Sequence, residues 1–154
     1  MKICTRIEEK HVFLDLKSGD KRHVLEEFVK EIKKRELISD DKLILDELLK
    51  RESLGSTGLE KGIAIPHALI DEVKEPFLAL AVIKDGIDFE AADQMPTYVL
   101  LLLLGSKNDP GAQLKILAHV CRLVKETNFV AQIMKIENPK DICALLEEEE
   151  GKIG

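Results

Sequence analysis

The hydrophobic pattern of the chain alternates between segments with helical spacing and short runs in which every residue is apolar. Apolar residues recur every three or four positions in five segments, each preceded by a residue that can cap a helix. These segments are 20–35, the stretch from the cap at 39–41 to residue 51 or 52, and the stretches that begin at Asp109, Asn128 and Asn138. Such spacing creates one apolar face and predicts five amphipathic helices.

Two continuous apolar runs, FLALAVI (77–83) and YVLLLLL (98–104), predict strands that are covered on both faces. Shorter strands are expected at 12–16 and 63–65, a turn at 84–86 and a polar surface loop at 68–75. Because helices precede, separate and follow buried strands, the sequence predicts an α/β fold. We expect a single small mixed sheet with helices on both faces and the two long strands at its centre.

Composition narrows the class of protein. A length of 154 residues with 45% hydrophobic residues predicts one domain over 1–154 with a substantial core. A net charge of −6 argues against nucleic acid as a partner. The N-terminus lacks the apolar region of a signal peptide, and no apolar run is long enough to insert in a membrane. Three cysteines without a CxxC pair imply no disulfide framework, which fits the cytoplasm. We expect residues 147–154 to form an acidic tail, with Glu147 to Glu150 in solvent.

Residues 51–67, RESLGSTGLEKGIAIPH, contain the candidate functional groups of the chain. The glycines of this stretch allow close backbone approach and positive φ, Ser56 and Thr57 offer hydroxyl donors, and Arg51 offers a planar cation suited to phosphate. Pro66 constrains the backbone before His67, which follows the short apolar strand. The pattern therefore predicts an imidazole surrounded by groups that bind an anion.

Other kinds of site fit less well or stay open. The histidines show no metal-ligand spacing, so no metal is expected. GSTGLEKG (55–62) has the wrong order for a Walker A loop, and GSTG does not match a nucleophile elbow. A hydrolase triad of Ser56, His67 and either Asp71 or Asp93 stays open, because its geometry cannot be deduced from spacing.

The same stretch resembles the active-site segment of the type-2 IIA domains of the bacterial phosphoenolpyruvate-dependent sugar phosphotransferase system. This is the mannitol/fructose class, which includes the nitrogen-regulatory IIA proteins. The resemblance rests on Arg51-Glu52, on Gly55-Ser56-Thr57 and above all on the run GIAIPH (62–67). It extends through GIDFEAAD (86–93) and the strand–helix pair at 99–124.

The resemblance implies a phosphotransferase without a cofactor, in which His67 carries the phosphoryl group. The donor would be the histidine-phosphorylated carrier HPr, and the recipient a IIB domain or a regulatory target. Arg51, Ser56 and Thr57 would contact the phosphate. The acceptor nitrogen of His67 must be unprotonated, so the other ring nitrogen should hold the proton against a backbone carbonyl.

One position departs from the pattern of the family. Gln113 stands where a second histidine is expected, at the start of QLKILA (113–118). An amide can donate a hydrogen bond to phosphate but cannot become cationic. Two functions therefore stay open. One is a working phosphocarrier, and the other is a regulatory sensor or binding module of the same fold with weak or no phosphotransfer. Either function could serve sugar transport or nitrogen regulation.

Overall fold

The computed structural model describes residues 2–153, which form five α-helices and one mixed sheet of five strands. The helices are α1 (Lys21–Lys34), α2 (Asp41–Ser53), α3 (Pro110–Glu126), α4 (Phe129–Ile133) and α5 (Asp141–Gly151). The strands are β1 (Val12–Phe13), β2 (Ile63–Ala64), β3 (His67–Ile70), β4 (Phe77–Ile87) and β5 (Thr97–Ser106). Two single-turn 3₁₀ helices, Cys4–Arg6 and Glu9–His11, precede β1.

The two long strands lie at the centre of the sheet, as their apolar runs predict. β4 and β5 pair antiparallel, β1 pairs parallel with the outer edge of β4, and β2 and β3 pair parallel with the other edge of β5. β2 and β3 lie one after the other along β5, so together they act as one interrupted edge strand.

Helices cover both faces of the sheet, which confirms the predicted architecture. Alternate residues of β4 enter two separate apolar clusters: Leu78 and Leu80 pack in the cluster that contains Ile116 of α3, and Ala79 packs in the cluster that contains Phe28 of α1. The second cluster also contains α2, and the first contains α4 and α5. Alternate side chains of a strand point to opposite faces, so each face of β4 is buried by a different helical layer.

The predicted caps form at three helix starts. The side chains of Asp20, Asp40 and Asp109 each accept a hydrogen bond from the backbone N–H three residues later. Within residues 2–153, no helix is long and apolar enough to cross a membrane.

The extent of several strands differs from the prediction. Residues 68–75 are not all loop, because β3 begins at His67 and pairs with β5 over four positions. Its burial alternates, with Ala68 and Ile70 inside and Leu69 half exposed, a period that is too short to detect in the sequence. β1 is shorter than expected, and β4 continues through the expected turn at 84–86 to Ile87 across a register shift.

The expectation of a solvated acidic tail is wrong for Glu149 and Glu150. Both belong to α5 and are buried. The Glu150 carboxylate accepts hydrogen bonds from the backbone N–H groups of Ile3 (2.7 Å) and Cys4 (2.9 Å), and also contacts His119 Nε2 (2.5 Å). The acidic cluster therefore ties α5 to the first 3₁₀ helix instead of extending into solvent.

Candidate functional site

The candidate site lies where the edge strand is interrupted between β2 and β3. Pro66 has no N–H to donate to the sheet, while its carbonyl still accepts from Leu103 of β5 at 2.9 Å. The N–H of Ile65 donates to the carbonyl of Thr57 at 3.1 Å. Gly62 and Pro66 accept from β5, whereas Ile63 and Ile65 bond to the segment 57–59, so alternate residues of this edge face away from β5. His67 follows at the first position of β3.

The outward-facing carbonyl of Ile65 fixes the tautomer of His67. Its Nδ1 lies 2.8 Å from the carbonyl oxygen of Ile65. A carbonyl can only accept, so the proton of the neutral ring is on Nδ1 and the lone pair is on Nε2. Ile65 is therefore the backbone carbonyl partner that the sequence leads us to expect.

The electrostatic surroundings keep this imidazole neutral. Burial lowers the pKa of His67 below its usual value of 6.5, and the guanidinium of Arg51 lowers it further. The hydrogen bond to Ile65 and the carboxylate of Glu52 act in the opposite direction without reversing the shift. At neutral pH Nε2 is consequently a nucleophilic nitrogen.

His67 lines an open pocket of about 600 Å³, which we call the His67 pocket. It brings together residues from α2, β3, the residue after β5 and the first turn of α3. Its lining consists of Glu47, Lys50, Arg51, Leu54, His67, Ala68, Leu69, Lys107 and Gln113.

Arg51 and Gln113 therefore share a pocket with His67. Arg51 donates from Nη1 to the carbonyl of Gly55 at 3.0 Å, and a guanidinium has further N–H groups that can bind a ligand. Gln113 is buried and donates from Nε2 to the carbonyl of Ala68 at 2.8 Å. It packs so closely on Gly105 that a Cβ there would lie 2.9 Å from Nε2.

Ser56 and Thr57 lie in the adjacent loop and are not among the described residues that line the pocket. The hydroxyl of Ser56 donates to the carbonyl of Phe89 at 2.6 Å, and that of Thr57 donates to the carboxylate of Glu52. Their assignment as phosphate ligands stays a prediction, and each hydroxyl would have to exchange its present partner to contact a phosphate.

The alternative hydrolase triad does not assemble in residues 2–153. His67 Nδ1 bonds the Ile65 carbonyl rather than a carboxylate, and Asp93 accepts from the backbone N–H groups of Lys61 and Met95. Asp71 pairs instead with Lys107, at 3.6 Å. Nor do three His, Cys, Asp or Glu side chains of the described chain come together in the way that a metal ion requires.

Sequence reasoning missed several residues of the site. Lys50 and Lys107 add two cations, and Leu54 adds an apolar side chain that is 83% exposed at the pocket. Leu54 follows an amphipathic helix, where its hydrophobicity predicts a core position. Lys107 comes directly after the buried strand β5, at a strand end, and this placement was the one available signal.

Comparison with known proteins identifies the family of the chain. The family model described as phosphoenolpyruvate-dependent sugar phosphotransferase system, EIIA 2, matches residues 6–149. The fructose-specific EIIABC component of Bacillus subtilis is 27% identical over 97% of this chain, which spans only 24% of that longer protein.

Two solved structures resemble the fold closely. The nitrogen regulatory protein IIA-Ntr from Neisseria meningitidis is 28% identical, with a TM-score of 0.84 over 94% of this chain and 98% of that one. The IIA mannitol chain from Escherichia coli, solved in complex with phosphorylated IIB, has a TM-score of 0.73 at 15% identity, over 90% of this chain and 95% of that one. The match over residues 6–149 shows that the chain belongs to the EIIA type 2 family of the phosphoenolpyruvate-dependent sugar phosphotransferase system.

Proposed function

We propose that the protein, as one domain over residues 1–154 acting in the cytoplasm, carries a phosphoryl group on Nε2 of His67. Membership of the EIIA type 2 family supports a phosphocarrier or regulatory role. An HPr-type phosphocarrier supplies the group, and a IIB partner receives it or the phosphorylated state acts as a regulatory signal. The observation that carries the proposal is the hydrogen bond from Nδ1 to the Ile65 carbonyl, because it leaves Nε2 unprotonated in a pocket that contains Arg51.

Transfer needs no cofactor beyond these groups. The lone pair of Nε2 forms a bond to phosphorus as the bond between phosphorus and the donor histidine breaks, and the donor ring keeps that electron pair. The charge on the three phosphoryl oxygens is stabilised by fixed donors. Arg51 offers a planar fork that can bind two oxygens at once, and Gln113 adds a neutral amide donor. Ser56 and Thr57 are secondary candidates for phosphate contact.

The surface around the pocket supports a protein as phosphoryl donor. Leu54, which lines the pocket, is 83% exposed. Large apolar side chains in such positions are typical of surfaces that a partner covers. The solved complex of the Escherichia coli IIA mannitol protein with phosphorylated IIB supports a IIB domain as the recipient.

The test is to incubate the protein with phosphoenolpyruvate, enzyme I and HPr and to measure its intact mass. We expect one added phosphoryl group in the wild type and none in His67→Ala. The matched control is His23→Ala, which removes an exposed histidine of α1 and should still be phosphorylated. An unmodified wild type, or a modified His67→Ala variant, would refute the proposal.

A second candidate function is favoured by one observation. Gln113 is neutral, and its Nε2 already donates to the carbonyl of Ala68. If this position limits transfer, the protein acts as a sensor or binding module that engages a transporter or regulatory protein with weak phosphotransfer. An unmodified wild type that still binds HPr or a IIB domain in a titration would favour this second function.

A further inference from the structure

Glu52 is a buried carboxylate beside the site, and the phosphoryl transfer proposed above leaves it without a role. It lies in the last turn of α2, its side chain is only 5% exposed, and it has three donors. Lys21 Nζ lies 2.8 Å from Oε1, the N–H of Thr57 donates to the same oxygen at 3.1 Å, and the hydroxyl of Thr57 donates to Oε2. A carboxylate removed from water is stable only with such partners, so Glu52 holds Thr57 in a defined position.

The position of Thr57 determines that of Ile65. The carbonyl of Thr57 accepts the N–H of Ile65 at 3.1 Å, and the carbonyl of Ile65 accepts Nδ1–H of His67 at 2.8 Å. A continuous series of hydrogen bonds thus runs from Glu52 through Thr57 and Ile65 to His67. Each bond in the series orients the residue that makes the next one.

The loop that carries Thr57 is also attached on its other side. The hydroxyl of Ser56 donates to the carbonyl of Phe89, and the ring of Phe89 lies 4.6 Å from Lys21 Nζ. Lys21 is only 15% exposed, so the cation that pairs with Glu52 is itself packed against the segment that holds Ser56. The loop therefore has little freedom to move independently of Glu52.

We infer that Glu52 is a positioning residue for His67, since it fixes through Thr57 and Ile65 the carbonyl that keeps the ring proton on Nδ1 and Nε2 unprotonated. Its effect on the rate of phosphoryl transfer rests on the proposed function, whereas its effect on the tautomer does not. Geometry is the means of this action, because each step is a directed hydrogen bond.

Two conservative variants separate geometry from charge. In Glu52→Gln the amide oxygen can still accept from Lys21 and Thr57 N–H, and the amide nitrogen can donate to the hydroxyl of Thr57, which reverses its role. In Glu52→Asp the charge is kept, but the side chain is one methylene shorter and withdraws from Thr57. We therefore expect Glu52→Gln to keep the wild-type tautomer of His67 and a near wild-type rate of phosphorylation. In Glu52→Asp we expect both to be impaired.

The first measurement is the tautomer of His67 in the unphosphorylated protein, read from long-range proton–nitrogen NMR spectra at a pH where the ring is neutral. We expect a single Nδ1–H tautomer in the wild type and in Glu52→Gln, and a mixture of both tautomers in Glu52→Asp. Glu31→Asp, at an exposed ion pair of α1, is the matched surface control. Leu146→Ala, in the apolar cluster on the other face of the sheet, is the control for lost stability.

Three results would overturn the inference. The first is the wild-type tautomer of His67 in Glu52→Asp. The second is a tautomer mixture in Leu146→Ala equal to that in Glu52→Asp, which would make the effect one of general stability. The third is a mixture in Glu52→Gln together with the wild-type tautomer in Glu52→Asp, which would show that charge acts instead of geometry.

The second measurement is the rate of phosphorylation by phosphorylated HPr. We expect Glu52→Asp to be slower than the wild type by about tenfold or more, since a misplacement of about 1 Å can cost about 100-fold in rate. Glu52→Gln should stay within about threefold. A wild-type protein that takes no phosphoryl group refutes the proposed function. The tautomer of His67 in Glu52→Asp would still test the positioning role of Glu52 in that case. A changed tautomer with an unchanged rate would contradict the link between positioning and transfer.

Discussion

Replacing Glu150 by alanine should weaken the contact between the two ends of the chain. The Glu150 side chain is fully buried, and its two oxygens accept from the backbone N–H groups of Ile3 and Cys4 and contact His119. Alanine leaves both N–H groups without their acceptor inside the protein. Each buried donor that loses its partner costs about 1–3 kcal/mol.

We therefore expect Glu150→Ala to lower the free energy of unfolding by about 3 kcal/mol, taking the pair of N–H groups together. For a chain of this size, 1 kcal/mol corresponds to about 2–4 °C in melting temperature, so the expected decrease is about 6–12 °C. Denaturant unfolding followed by circular dichroism measures the free energy of unfolding, and calorimetry measures the melting temperature. Glu148→Ala is the matched control, since Glu148 is exposed on the same helix and its loss should cost less than about 0.5 kcal/mol.

The pH dependence gives an independent check of the same contact. Burial alone would raise the pKa of Glu150, but hydrogen bonds from the backbone of Cys4 and Ile3 and from His119 outweigh it and lower the pKa below the usual 4.5. A carboxyl group with a lowered pKa in the folded state stabilises the protein above its unfolded pKa, and this stability is lost as the pH falls through the folded value. The difference between wild type and Glu150→Ala should thus shrink below pH 4.5. A Glu150→Ala protein as stable as Glu148→Ala would refute the reasoning.

Three further predictions concern the site and its loop. Gly58→Ala should lower the free energy of unfolding by about 1–3 kcal/mol, because the new Cβ would lie 2.8 Å from Ala91 Cα. Gly151→Ala is the control and should be neutral, since its Cβ meets nothing within 4 Å. Equal stability of the two variants in denaturant would contradict this prediction. Gln113→His should raise the rate of phosphorylation by HPr at mildly acidic pH, where a second imidazole becomes cationic, and an unchanged rate would show that position 113 does not limit transfer. Burial lowers the pKa of His67, so its neutral form persists below pH 6.5. The phosphorylation rate should therefore not halve until the pH falls below that value. An NMR titration that gives His67 a pKa of 6.5 or more would contradict this prediction.

The parts of the fold that could be predicted from sequence are those with strong local signals. β4 and β5 are recognisable because their apolar runs are continuous, and three helix starts are recognisable from an aspartate that caps its own first turn. β3 was missed because it has four residues, two of them half exposed, and its pairing with β5 is a long-range contact. Glu150 was misplaced for the same reason, since its partner Ile3 is 147 residues away in sequence.

The sequence identifies the main residues of the candidate site but not the hydrogen bonds between them. Arg51, His67 and Gln113 line one pocket, and their roles in phosphate binding stay a prediction. The hydroxyl of Thr57 was assigned to phosphate on residue type alone, whereas its partner in the structure is the carboxylate of Glu52. Spacing reveals which donors lie near a histidine, but it does not reveal which acceptor each donor has already bound.

The most direct test of His67 as the phosphoryl carrier combines intact mass with NMR of His67 after incubation with phosphoenolpyruvate, enzyme I and HPr. We expect one phosphoryl group, absent from His67→Ala, with phosphorus bonded to Nε2 and the proton still on Nδ1. An unmodified wild type, or a phosphoryl group on another atom, would contradict it.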